Sequence, residues 1–103
     1  MFRPFEIDMT GRIFDWDDQK NLLNFRKHGV YFSTAARVFR DPNKLIRKDE
    51  EHTQEVRYDV LGKVGKVFFV VCTFKKGNVI RLISARQATA YEKEIYKYGE
   101  DPL

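Results

Sequence analysis

The stretch from Val56 to Ser84 restricts the fold of this chain more than any other. Its residues first alternate, with Val56, Tyr58 and Val60 set for one face and Arg57, Asp59 and Leu61 for the other. That is the period of a half-buried strand. Gly62–Gly65 then closes a hairpin into Lys66–Phe74, the most apolar segment and therefore the expected central strand. Lys75-Lys76-Gly77-Asn78 closes a second hairpin into Val79–Ser84. Strands joined by turns this short lie antiparallel, so the second half reads as a meander.

The flanking segments supply helices. Arg12–Trp16 suits a short strand, and Asp17 is placed to cap a helix running to about His28, where Gly29 can take the left-handed position that ends it. Leu22, Leu23 and Phe25 are expected to form its apolar face, with Lys20, Asn24 and His28 as a polar stripe. A second helix is expected from Ser33, with Phe32 packing back on its first turn, and must stop near Asp41 ahead of Pro42. Leu45–Lys48 reads as a short edge strand and Asp49–Thr53 as a charged loop. Thr89 with Glu92 forms a capping box for a last helix, which Gly99 ends and along which Tyr91, Ile95 and Tyr98 share a stripe. The predicted class is α+β: a mainly antiparallel sheet of about four to five strands, two N-terminal helices and one C-terminal helix, with the helices on one face. Residues 1–10, broken by Pro4, read as a loose N-terminal extension, and residues 11–103 as one domain.

Composition narrows the class of function. A chain of 103 residues can bury a core without disulfides or metals. Its single cysteine, Cys72, sits in an apolar run and reads as an inert buried thiol. No run approaches the ~20 apolar residues of a membrane helix, and Met1–Thr10 lacks the pattern of a signal peptide. A cytosolic location without membrane contact is expected. The net charge of +4 suits a polyanionic partner, although an acidic protein segment fits it equally well.

Several short motifs follow one another along the chain: Phe14-Asp15-Trp16-Asp17, Lys20 and Asn24, Lys27-His28-Gly29-Val30, then Phe32 with Ala35, Ala36, Val38 and Phe39. Later come Ile80-Arg81-Leu82-Ile83-Ser84-Ala85-Arg86, Ala88, Glu92 and Tyr96. Over about Phe14 to Tyr98 the chain resembles the BrnT toxins, the nuclease half of a type II toxin–antitoxin pair. The resemblance implies a RelE-like fold and metal-independent RNA cleavage with no cofactor. It also implies a BrnA-like antitoxin whose ribbon-helix-helix region alone meets operator DNA. Residues 1–10 depart from the family pattern.

Metal-free RNA cleavage turns the ribose 2′-hydroxyl on the adjacent phosphate, which needs a base, an acid and cations for the phosphorane charge. His28, at a helix C-terminus, is the first candidate for proton transfer, with capping of the helix end as the bland reading. Arg57, Arg81 and Arg86 are the cationic candidates, each of which an ordinary salt bridge, for example with Asp59 or Glu55, also explains. Strand alternation gives Arg81 and Arg86 opposite parity, so they share a face only if a bulge intervenes or the strand ends early. Lys20 and Lys27 are candidate phosphate contacts and Tyr91 and Tyr98 candidate stacking platforms for RNA bases, against the alternatives of solvated charges and a core stripe. Asp15, Asp17 and Asp18 read as capping residues before metal ligands, and His52 is given no role. Two other classes stay open. One is a helix-turn-helix DNA-binding module over Asp17 to Arg40, read through Arg37 and Arg40. The other is a non-enzymatic interaction protein, since no nucleophile–base motif is present.

Overall fold

A computed structural model describes residues 1–51 and 54–101. Along the chain run β1 (Arg3–Pro4), β2 (Ile13–Asp15), α1 (Asp18–His28) and α2 (Phe32–Ala35), which continues as a 3₁₀ segment (Ala36–Arg40). The meander follows as β3 (Leu45–Asp49), β4 (Arg57–Val64), β5 (Lys66–Lys75) and β6 (Val79–Gln87), and α3 (Ala90–Tyr98) closes the fold. The strands make one six-stranded sheet in the order β1-β3-β4-β5-β6-β2. Every pairing is antiparallel except that of β2 with β6.

The class is α+β as expected, with one strand more than expected. The added strand is β1, which pairs Arg3 with Ile46 and Pro4 with Leu45 at the sheet edge, where a proline costs the ladder nothing. Phe2 is buried, its N–H bonds Asp101, and the Arg47 guanidinium lies 4.3 Å from its ring centroid. The start of residues 1–10 is therefore tied into the sheet, where the sequence suggested a loose lead-in.

The helices also lie on both faces of the sheet, not on one. Successive residues of β5 point to opposite sides, and here both sides are apolar. Phe68, Val70 and Cys72 join Val60, Ile80, Leu82 and Ala85 beneath Phe32, Ala35, Val38 and Phe39. Phe69 joins Leu45, Leu61 and Phe2 beneath Ile95 of α3. A central strand with an unbroken apolar run from Val67 to Cys72 needs a cover on each side, and the split arrangement provides it. Burial pushes the Cys72 thiol up to about 12, which keeps it protonated and unreactive.

Two local features set the packing distances. Gly62 sits in β4 where a Cβ would stand 2.6 Å from the Cβ of Val38, so only glycine lets the 3₁₀ segment approach the sheet this closely. Helix α1 is capped by Asp17 and ended by Gly29 at φ 71°, as the sequence indicates. Its orientation, however, is inverted. Asn24 is the buried residue of α1, while Leu22, Leu23 and Phe25 are exposed, so the expected apolar face looks outward; of the polar stripe, Asn24 and His28 turn inward and Lys20 stays exposed.

Candidate functional site

The register of β5 and β6 decides which charged residues meet. Val71 faces Ser84, but the next pair is Cys72 with Leu82, so Ile83 is left over as a bulge. Beyond it the parity of β6 is reversed. Arg81 opposite Thr73, Ser84 opposite Val71 and Arg86 opposite Phe69 therefore lie on one face of the sheet. Asp59, paired with Val71, and Arg57 two residues before it share that face through β4, as do Arg47 and Asp49 through β3. The bulge thus brings Arg57, Arg81 and Arg86 together, and adds Arg47, which the sequence reading missed. Arg47 shares a face with Leu45, two residues earlier, and Leu45–Asp49 is too short a strand to show a clear apolar–polar period.

Each arginine of this row holds a carboxylate. Arg47 reaches one oxygen of Asp59 through both Nε, at 3.0 Å, and Nη2, at 2.8 Å. Arg57 bonds Glu55 at 3.0 Å, and Arg81 bonds Asp15, its neighbour across the β2–β6 ladder. Arg86 grips Glu92 with two bonds of 2.7 and 3.0 Å and lies 4.2 Å from the centroid of Phe69. Glu92 also accepts the N–H of Thr89, so the capping box that starts α3 aims a carboxylate at the row. Burial pushes the Glu92 carboxyl up, but the bonds from Arg86 and Thr89 together outweigh it and the net direction is down. At Asp59 burial wins over the Arg47 bond, and its carboxyl is raised. A guanidinium fork that fits a carboxylate in this way also fits a phosphate, so the row is a set of positions where phosphodiester oxygens can replace carboxylate oxygens.

The remaining sequence candidates lie apart from the row. His28 is half-buried on the inward side of α1, and its imidazole makes no hydrogen bond or ion pair among the described residues. Lys20 and Lys27 are exposed on the same helix. Tyr91 and Tyr98 are exposed on α3 at 62% and 66%, so the core stripe reduces to Ile95, and the Lys97 ammonium lies 5.6 Å from the centroid of the Tyr98 ring. His52 lies outside the described residues. Asp17 spends its carboxylate on the N–H of Lys20. The helix-turn-helix outline does not survive: α2 has four residues and its continuation is 3₁₀, with Ala35, Ala36, Val38 and Phe39 committed to the core.

Residues 16–92 match the protein family described as the ribonuclease toxin BrnT of type II toxin–antitoxin systems. The chain belongs to the BrnT family. A structure search gives the same answer for the fold. The chain is similar to the Brucella abortus ribonuclease toxin BrnT, known from a crystal structure at 1.1 Å resolution. The TM-score is 0.57 at 20% identity, over 74% of this chain and 95% of that one. No curated protein matches by sequence. The part matched to BrnT holds Arg47, Arg57, Arg81, Arg86 and Glu92, hence nearly the whole row, whereas Asp15, Tyr96 and Tyr98 fall outside it. Membership of a type II system also gives this BrnT chain an antitoxin partner.

Proposed function

We propose that this BrnT-family chain cleaves RNA by metal-independent acid–base chemistry on the arginine-lined face of its sheet. The observation that carries this reading is the bulge at Ile83, which lines up Arg81 and Arg86 with Arg57 and Arg47 on one surface. In this mechanism the ribose 2′-hydroxyl attacks the adjacent phosphorus, guanidinium groups of the row take up the charge of the phosphorane, and the P–O5′ bond breaks to give a 2′,3′-cyclic phosphate and a 5′-hydroxyl. Arg81, Arg86 and Arg57 release their carboxylates to the incoming phosphate and bind it instead. His28 takes the proton of the 2′-hydroxyl and returns it to the leaving 5′-oxygen. What supports it is the attachment of its helix to the strand that carries Arg81 and Arg86: Asn24 bonds the backbone of Ala85, which is flanked by Ser84 and Arg86. His28 follows Asn24 by one helical turn, about 6 Å. Lys20 and Lys27 hold backbone phosphates, and Tyr91 and Tyr98 stack bases.

The same reading places the chain in the cytosol, where its RNA substrate is, with growth held back when it acts. A BrnA-like antitoxin silences it and contacts operator DNA through its own ribbon-helix-helix region. Among the described residues no helix is long and apolar enough to cross a membrane. The test is cleavage of labelled, protein-free RNA in excess EDTA, with Arg81→Ala and His28→Ala alongside. Cleavage that survives the chelator and falls in both variants is the expected result. Cleavage abolished by EDTA and restored by a divalent cation overturns the metal-free mechanism.

A further inference from the structure

At the end of the sheet remote from the β5–β6 turn, a cleft of about 490 Å³ opens between the 3₁₀ segment, the β4–β5 turn and α3. Arg37, Arg40 and Lys63 line it, together with Asp41, Asn43 and Tyr96. Asp41 is buried and ties its walls together. One carboxylate oxygen accepts the N–H of Asn43 at 2.9 Å, and the other accepts the N–H of Lys63 at 2.7 Å and the Tyr96 hydroxyl at 2.5 Å. The Tyr96 phenol, raised by its burial and by Asp41, stays protonated and keeps donating. With its oxygens engaged in this way, Asp41 forms no salt bridge with the cations around it.

Those cations differ from the arginine row. The side chains of Arg37, Arg40 and Lys63 are exposed and form no ion pair or hydrogen bond with any described residue, whereas Arg47, Arg57, Arg81 and Arg86 are each matched by a carboxylate. Three exposed cations therefore share a concave site away from the row with a single carboxylate, that of Asp41, which leaves the site a net positive charge. A protein partner would want an apolar centre there, yet none of the exposed large apolar residues lines the cleft; Leu22, Leu23, Phe25 and Tyr31 are on α1 and just after it. A polyanion fits better. Tyr96 stands one turn, about 6 Å, along α3 from Glu92, the residue that holds Arg86. Helix α3 thus touches the row through Glu92 and the cleft through Tyr96, and a strand leaving the row along this helix would run toward the cleft.

We infer that this cleft is a second phosphate site, where Arg37, Arg40 and Lys63 grip the RNA backbone beyond the cleaved bond. The inference rests on the RNA-cleaving reading above. Such contacts supply affinity and salt dependence without taking part in the chemistry. The probe is a short fluorescein-labelled RNA with 2′-O-methyl riboses, which cannot be cleaved, bound to the full chain over a range of salt. The triple variant Arg37→Gln, Arg40→Gln, Lys63→Gln is expected to bind about tenfold or more weakly, with the slope of log K against log salt shallower by about 2. Its melting temperature and its turnover of saturating cleavable RNA are expected to match the wild type. Unchanged affinity and slope, in a wild-type chain that binds the probe and cleaves RNA, overturn the cleft and leave the RNA reading standing. The same holds if the variant loses binding to polyglutamate alone, which would mark the cleft as a seat for an acidic protein. A folded wild-type chain that neither binds the probe nor cleaves RNA overturns both.

Discussion

Asn24 of α1 hydrogen-bonds to both backbone polar groups of Ala85, 61 residues later in the chain: its Nδ2 donates to the carbonyl at 2.8 Å and its Oδ1 accepts the N–H at 3.1 Å. The same Nδ2 donates to the carbonyl of Val30 at 2.9 Å. β2 pairs only with Val79–Arg81, so beyond it the edge of β6 has no strand beside it, and the Asn24 carboxamide stands in for one. Removing it leaves buried backbone groups unpaired at a cost of ~1–3 kcal/mol each. Asn24→Ala is therefore expected to lose at least ~2 kcal/mol in urea unfolding. A loss below ~0.5 kcal/mol, the size of an ordinary surface change, would remove Asn24 as the anchor of α1.

Gly62→Ala tests the closest approach in the fold. The added methyl would meet Val38 at 2.6 Å, with the Val38 carbonyl 3.0 Å away, and neither can retreat without moving the 3₁₀ segment. Overpacking of this kind costs ~1–3 kcal/mol. Differential scanning calorimetry should show a fall of at least ~4 °C, and an unchanged melting point would mean that the 3₁₀ segment yields freely.

On the arginine-lined face, Arg81→Ala is expected to lower RNA cleavage more than Lys27→Ala does. The first removes a cation from the transition state, the second only a backbone contact. His28→Ala is expected to lower the rate at least about tenfold with little change in stability. Side-by-side rates in the reverse order for the two cations would move the phosphate site off the row, and a wild-type rate for His28→Ala would remove it from proton transfer.

Acid should act through Glu92. Its folded carboxyl titrates below the ordinary value of 4.5, so its contribution to stability is complete above that pH and is lost as pH falls through the folded value. Asp59 opposes this trend, because its raised carboxyl favours the folded state only when protonated. Comparing Glu92→Gln with the wild type cancels the part of the Asp59 contribution that burial and Arg47 set, leaving only the smaller part due to the Glu92 charge. Urea midpoints should show the variant less stable at pH 7 and the gap closing between about pH 5 and 3. A gap that stays constant with pH would show that the Arg86–Glu92 pair does not carry the effect.

Much of the fold was legible because local chemistry specifies it. Asp17 and Gly29 at the ends of α1, the Thr89–Glu92 capping box and the glycine-bearing turns each need only a few neighbouring residues to act. Residues of the arginine row could be named for the same reason, since an arginine in an apolar strand must find a partner. Their grouping could not be read, because one unpaired residue, Ile83, reverses the parity of everything after it, and a bulge depends on the strand opposite. Arg47 and the Asp41 knot were missed because their partners, Asp59, Lys63 and Tyr96, are distant in sequence.

Sequence by itself determined the α+β class, the helix ends, the meander and the residue types needed for phosphate chemistry. Tertiary structure decided which way α1 turns, which faces the helices cover, that Phe2 joins the core, and which arginines share a surface. The division has a physical cause: caps, turns and strand period are settled by interactions within a few residues. Side-chain direction across a sheet and the buried side of a helix are settled by hydrogen bonds and packing between segments far apart in the chain.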